Sequence, residues 1–99
     1  MAIRSVDRAV HATLGLETVE TVNLTEAGGR PIRIVNSGAT DLYCTFGNST
    51  NGLPADPTVG GANTFIVQAG KEITFNFGEV GQVKLIASLA VTFSVEALG

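Results

Sequence analysis

Apolar and polar residues alternate with a period of two over most of the chain. In "KEITFNFG" Ile73, Phe75 and Phe77 fall on one side, with Glu72, Thr74 and Asn76 on the other. That is the pattern of a half-buried strand. "LAVTFSVEAL" repeats it, with Val91, Phe93 and Val95 inward and Thr92, Ser94 and Glu96 outward. "DLYCTFG" puts Leu42, Cys44 and Phe46 on one face, with Asp41, Tyr43 and Thr45 on the other. "RPIRIVNS" groups Ile32 with Ile34, and Arg33 with Val35. "NTFIVQAG" and "GQVKLIAS" are denser in apolar residues, as expected of strands covered on both sides. "LETVETVNLT" is a weaker strand, rich in Thr and Val.

Turn chemistry separates these segments. "NSGATD" joins the Ile32 and Leu42 strands as a hairpin turn, with Gly38 able to take positive φ. "QAGKE" is a second hairpin connection with Gly70 at its tight point, and "GEVGQ" a third around Gly78 and Gly81. The turn near Ser88 and Leu89 has neither Gly nor Pro. Closely spaced short strands of this kind predict an all-β domain, an antiparallel β-sandwich or jelly-roll-like barrel of about seven strands with an N-terminal arm. The arm covers residues 1–16 and the single sandwich domain residues 17–99.

Two segments stand outside the alternation. In the arm Ile3, Val6, Val10 and Leu14 recur every three or four residues, which leaves a short helix, an extended arm on another subunit or a frayed terminus as the readings. The second segment is "GNSTNGLPADPTVGGAN", residues 47–63. Unstructured connections beyond about 12–15 residues are uncommon in compact domains and tend to be functional or mobile. Either it is a long crossover between sheets, or it is a surface loop that touches a partner.

Composition narrows the picture. At 99 residues the chain is one domain, and its 44% hydrophobic content is enough to build a core. Only 15% of residues are charged, well under the roughly 25% usual for globular proteins. A surface so poor in charge suits a protein that packs against neighbours. The net charge is −3 and the six Lys and Arg residues are scattered, so no basic stripe is available for nucleic acid. No apolar run approaches a membrane span, and "MAIRSVDRAVHATLGL" lacks the apolar core of a secretion signal.

The inventory of reactive groups is thin. Cys44 is the sole cysteine, which rules out an intrachain disulfide, and its place among apolar residues makes it a packing residue. His11 is the sole histidine and lies in the arm, read as a surface residue. Glu17 and Glu20, three apart on a strand, fall on opposite faces and cannot share an acid–base site. Asp41 and Asp56 lack the alternating ligand pattern of a calcium loop. Asn48-Ser49-Thr50 matches a glycosylation triplet that arises readily by chance. The expectation is no enzyme, no metal and no cofactor.

"IRIVNSGATDLYCTFGNS", a variable loop, "NTFIVQAGKEITFNFG" and "VKLIASLAVTFSVEAL" together resemble small β-sandwich virion proteins of tailed bacteriophages, of the head decoration (cement) kind. The resemblance covers about Arg30 to Leu98 and rests on turn and core positions. It implies a structural protein made in the host bacterial cytoplasm and located on the capsid surface of the virion. It further implies a homo-oligomer, a trimer first, that binds the major capsid protein and stabilises the head by bridging its subunits. Candidate contacts come from the arm (Ile3, Val6, Val10) and the long loop (Leu53, Pro54, Pro57, Val59), with Tyr43, Thr45, Ile86 and Ala90 as outward residues for subunit interfaces. The alternatives are another virion component (tail, neck or fibre) or a small ligand- or glycan-binding β-sandwich module, glycan binding being poorly served by one Tyr and no Trp.

Overall fold

The alternation resolves into strands, including two that the periodicity of the first residues disguised. A computed structural model describes residues 2–25, 30–47, 52–62, 64–76 and 80–98, with residues 2 and 3 described by backbone alone. Its strands are β1 (Ala2–Val6), β2 (Ala9–Leu14), β3 (Glu20–Leu24), β4 (Ile32–Asn36), β5 (Leu42–Gly47), β6 (Phe65–Val67), β7 (Glu72–Phe75), β8 (Gln82–Ala87) and β9 (Val91–Ala97). They form a five-stranded sheet, β1-β3-β8-β5-β6, and a four-stranded sheet, β2-β9-β4-β7. No helix occurs among the described residues. The protein is a two-sheet β-sandwich.

The seven expected strands are β3 to β9, and the expected arm is β1 and β2. Each of these pairs along its full length, β1 with β3 and β2 with β9. Leu14 is fully buried, and Val6 and Val10 pack against the core. An arm reaching to another subunit is therefore replaced by two integral strands. The β1–β3 pair is parallel, unlike the rest, because β2 carries the chain up the opposite sheet between them.

Connections depart from expectation in the same way. Only β5 and β6 are consecutive within one sheet; every other connection crosses from one sheet to the other. β4 and β5 are thus not a hairpin but the two legs of an arch, whose inward residues Ile32, Ile34, Leu42 and Cys44 face each other across the core. The same holds for 68–71 between β6 and β7, where Lys71 N donates to Gln68 O at 3.0 Å and Gly70 sits at φ 72°. That left-handed φ calls for glycine. Gly38 is needed for another reason than the one expected. Its φ is not positive, but a Cβ there would lie 2.5 Å from Val91 Cγ1.

The core lies between the sheets. Val91, Phe93, Val95 and Ala97 of β9 meet Val83, Leu85 and Ala87 of β8, all buried. Each large side chain removed from water contributes about 1.5–3 kcal/mol. On the side where β6 and β7 end their sheets, Phe46, Phe65 and Phe75 close the gap with ring centroids 4.7 to 5.6 Å apart. Two inward assignments weaken there. Ile73 shares the face of Ile34 but is 38% exposed, because the opposite sheet does not extend over it. Strand β6 is an edge rather than a strand covered on both sides, and its Phe65 and Ile66 are exposed. Phe77 lies outside the described residues.

Candidate interaction surface

The long loop is not a crossover between sheets. It joins neighbouring strands of one sheet, and its described part folds back as a strap over the outer face of that sheet. Thr45 and Lys84 are cross-strand partners on that face. Thr45 Oγ1 donates to the Ala55 carbonyl at 2.6 Å, and Lys84 Nζ meets Asp56 Oδ1 at 2.7 Å. Pro54 and Pro57 are buried. With φ fixed and no N–H to satisfy, proline suits a strap laid flat on a sheet. Leu53 and Val59, one on each side of the anchored stretch, remain 62% and 40% exposed.

Of the candidate contacts whose side chains are described, Leu53 and Val59 are the exposed ones. Pro54 and Pro57 are anchors, Val6 and Val10 are partly buried against the core, and the side chain of Ile3 lies outside the described residues. Among the outward residues, Thr45 and Ile86 are buried, Tyr43 is half-buried, and Ala90 is exposed in the β8–β9 turn.

The remaining exposed large apolar residues fall at two places. Phe65, Ile66 and Ile73 lie on the adjoining edges β6 and β7. Leu16 and Leu89 lie at one end of the sandwich, in turns joined where Glu17 N donates to Ala87 O at 2.9 Å.

The outer face of the four-stranded sheet is polar and internally paired. Arg33 Nε donates to Glu96 Oε1 at 2.8 Å from the directly opposite position, and Glu72 lies 3.8 Å away. The hydrogen bond from Arg33 holds the Glu96 carboxyl below its ordinary range, and the carboxylate raises Arg33 in turn. His11 bonds Ser94 on the next pair of that face. Serine, histidine and carboxylate are the types of a nucleophilic triad, but the hydrogen bond of Glu96 goes to Arg33 and does not orient the imidazole.

The other titratable candidates are structural. Burial pushes the Cys44 thiol up to about 12, and its Sγ donates to the Phe65 carbonyl. Glu20 is buried and bonded by Arg4 Nε at 2.8 Å, while Glu17 sits in a turn at φ 46°. Asp41 Oδ1 accepts from Ala69 N, and Asp56 belongs to the strap. Among the described residues no three His, Cys, Asp or Glu groups converge to hold a metal ion. The triplet at 48–50 lies outside the described residues.

No family model matches the chain, and no curated protein is similar to it in sequence. Solved structures resemble it in shape. A protein described as PirA superposes with a TM-score of 0.60 at 15% identity, over 94% of this chain and 95% of that one. Drosophila melanogaster CENP-C bound to CAL1 gives 0.55 at 4% identity, over 92% of this chain. The CENP-C cupin domain gives 0.52 at 5%. This chain spans 64% and 56% of those two CENP-C chains. At such identities the likeness shows a shared fold alone, and none of the three descriptions names a virion component.

Proposed function

We propose that the chain is a structural component of a tailed-bacteriophage virion, which binds the outer surface of the head as an oligomer and stabilises it by bridging capsid subunits. The observation that supports this reading is where the exposed apolar side chains sit. Leu53 and Val59 are displayed by a strap pinned through Thr45, Lys84 and two buried prolines. A surface element already ordered loses little entropy on docking. Its apolar residues stand on a surface with few charges to keep it in water. Repetition over a lattice then multiplies a modest contact into strong retention.

The test is to mix purified protein with undecorated heads and measure co-sedimentation and heat resistance of the particles. Saturable binding that raises the temperature of head disruption is expected, and Leu53→Asp weakens it. Heads that neither bind the protein nor gain heat resistance overturn the reading. Imaging of intact particles distinguishes a head position from a tail, neck or fibre position.

A further inference from the structure

We propose that β6 is a self-association edge, pairing antiparallel with β6 of a second copy about a twofold axis through Ile66. This goes beyond the capsid reading and holds whether or not the protein binds a head.

The four edge strands are treated differently. An exposed sheet edge is a template for another strand, and proteins blunt such edges with charge, proline or inward-pointing charged side chains. β1 carries Arg4 on its inward row, bonded to Glu20. β2 carries His11, bonded to Ser94. β7 begins at Glu72, next to Lys71 and within 3.8 Å of Arg33. β6 has none of these devices, and no charged residue occurs anywhere from Pro57 to Gly70. It instead exposes Phe65 and Ile66, 43% and 46% accessible.

The sequence of the strand favours its own copy as the occupant. "TFIVQ", Thr64 to Gln68, is polar at both ends and apolar in the middle. Antiparallel pairing centred on Ile66 sets Ile66 opposite the second Ile66, Phe65 opposite Val67, and Thr64 opposite Gln68. Apolar meets apolar, polar meets polar, and no like charges oppose across the axis. One continuous sheet then runs through both copies, an isologous contact that closes at two. The approach also brings together the two β7 edges, covering Ile73. Such a dimer differs from the threefold ring that the virion resemblance implies.

The experiment is sedimentation equilibrium and native mass spectrometry on the full chain without capsids, for wild type, Ile66→Lys and a control, Leu89→Lys. The control adds the same charge at a comparably exposed apolar site. The expected result is a wild-type dimer that Leu89→Lys leaves intact. Ile66→Lys weakens it by roughly tenfold or more, from two cations placed opposite each other. Amide exchange in wild type, slowing at β6 as concentration rises, gives a readout that does not depend on any variant folding. A wild-type monomer or trimer, an Ile66→Lys dimer as tight as wild type, or exchange at β6 independent of concentration overturns the proposal.

Discussion

The side-chain amide of Asn36 donates to the carbonyl of Val67 at 2.9 Å, tying the end of β4 in one sheet to the end of β6 in the other. The same Nδ2 donates to Thr40 O at 2.8 Å, and Oδ1 accepts from Gly38 N at 2.9 Å. Asn36 N donates in turn to Lys71 O. One buried polar residue thus fixes both the 37–41 arch and the 68–71 turn. Because nearly every connection crosses between sheets, the sandwich needs such ties at its ends, where strand ladders no longer hold the two layers together.

Replacing Asn36 tests this directly. Asn36→Ala strands two acceptors and a donor, and stranding a buried group costs about 1–3 kcal/mol. Loss of roughly 3 kcal/mol is expected by urea denaturation. Asn36→Asp is worse at neutral pH, since it turns a carboxylate toward two carbonyl oxygens. Burial against carbonyls raises that carboxyl in the folded state above its unfolded value, so the deficit shrinks as pH falls and the acid protonates. Equal stability of the two variants at pH 7 would contradict this role.

Gly38→Ala separates close packing from backbone freedom. The added methyl would lie 2.5 Å from Val91 Cγ1 and 2.6 Å from Val91 Cβ. Overpacking of this kind costs about 1–3 kcal/mol. Combining it with Val91→Gly removes both the Cγ1 and the Cβ contact, so the double variant is less destabilised than the sum of the two singles. A double-variant cycle on thermal unfolding measures that coupling. Strict additivity would mean that the glycine is needed for something other than its contact with Val91.

How far the fold is legible in the residues follows from what alternation encodes. It names faces, so the inward sets of β4, β5 and β9 are correct from sequence. It does not name sheets: "NSGATD" has the composition of a hairpin turn and is an arch, because tertiary pairing decides where the next strand lies. In β2 the inward row is Val10, Ala12 and Leu14, and the small Ala12 hides the period of two, so Val6, Val10 and Leu14 read as a helical spacing. The turn at Asp7 and Arg8 adds to the disguise by resetting the register between β1 and β2. Ile73 and Phe65 carry a strong inward signal, but exposure at an edge depends on how far the other sheet reaches. The strap was visible as a loop from its Pro and Gly content. Burial of Pro54 and Pro57 comes from packing that composition does not record.

The strap is held by few contacts and is expected to open below the global unfolding free energy. Thr45→Val removes the hydroxyl that donates to Ala55, and Lys84→Met removes the ion pair with Asp56 while keeping most of the aliphatic stem. The double variant should unfold within about 1–2 kcal/mol of wild type, in keeping with one hydrogen bond and one partly exposed ion pair. Limited proteolysis should nevertheless cut it faster within residues 52–62. Unchanged cleavage there would show that the two buried prolines alone hold the strap.

Cys44 is placed to be inert while the protein is folded. Its thiol is buried and raised to about 12 by desolvation, so little nucleophilic thiolate exists at neutral pH. Labelling by an aromatic disulfide reagent at pH 8 should therefore proceed at the rate of opening, and become fast in denaturant. Cys44→Ser should cost stability, since a hydroxyl replaces a well-packed sulfur among apolar neighbours. Rapid labelling of the folded protein would place the thiol elsewhere.

The Arg33–Glu96 pair predicts the acid limb of the stability profile. The hydrogen bond from Arg33 depresses Glu96 in the folded state, whereas in the unfolded chain the carboxyl returns to about 4.3. A group whose folded value is lowered contributes stability that is fully present above the unfolded value. That contribution is lost as pH falls through the folded value. Arg33 stays protonated throughout, so the change belongs to the carboxyl. Glu96→Gln should consequently lower the melting temperature above about pH 4.3, where the carboxylate's contribution is present, and flatten the fall below it, so that the two proteins converge in acid. Carboxyl NMR titration gives the direct measurement: in Arg33→Met the midpoint of Glu96 should move up toward the ordinary range, and added salt should shift the wild-type midpoint the same way. A Glu96 midpoint that ignores both changes would mean that the cross-strand bond is not formed in solution.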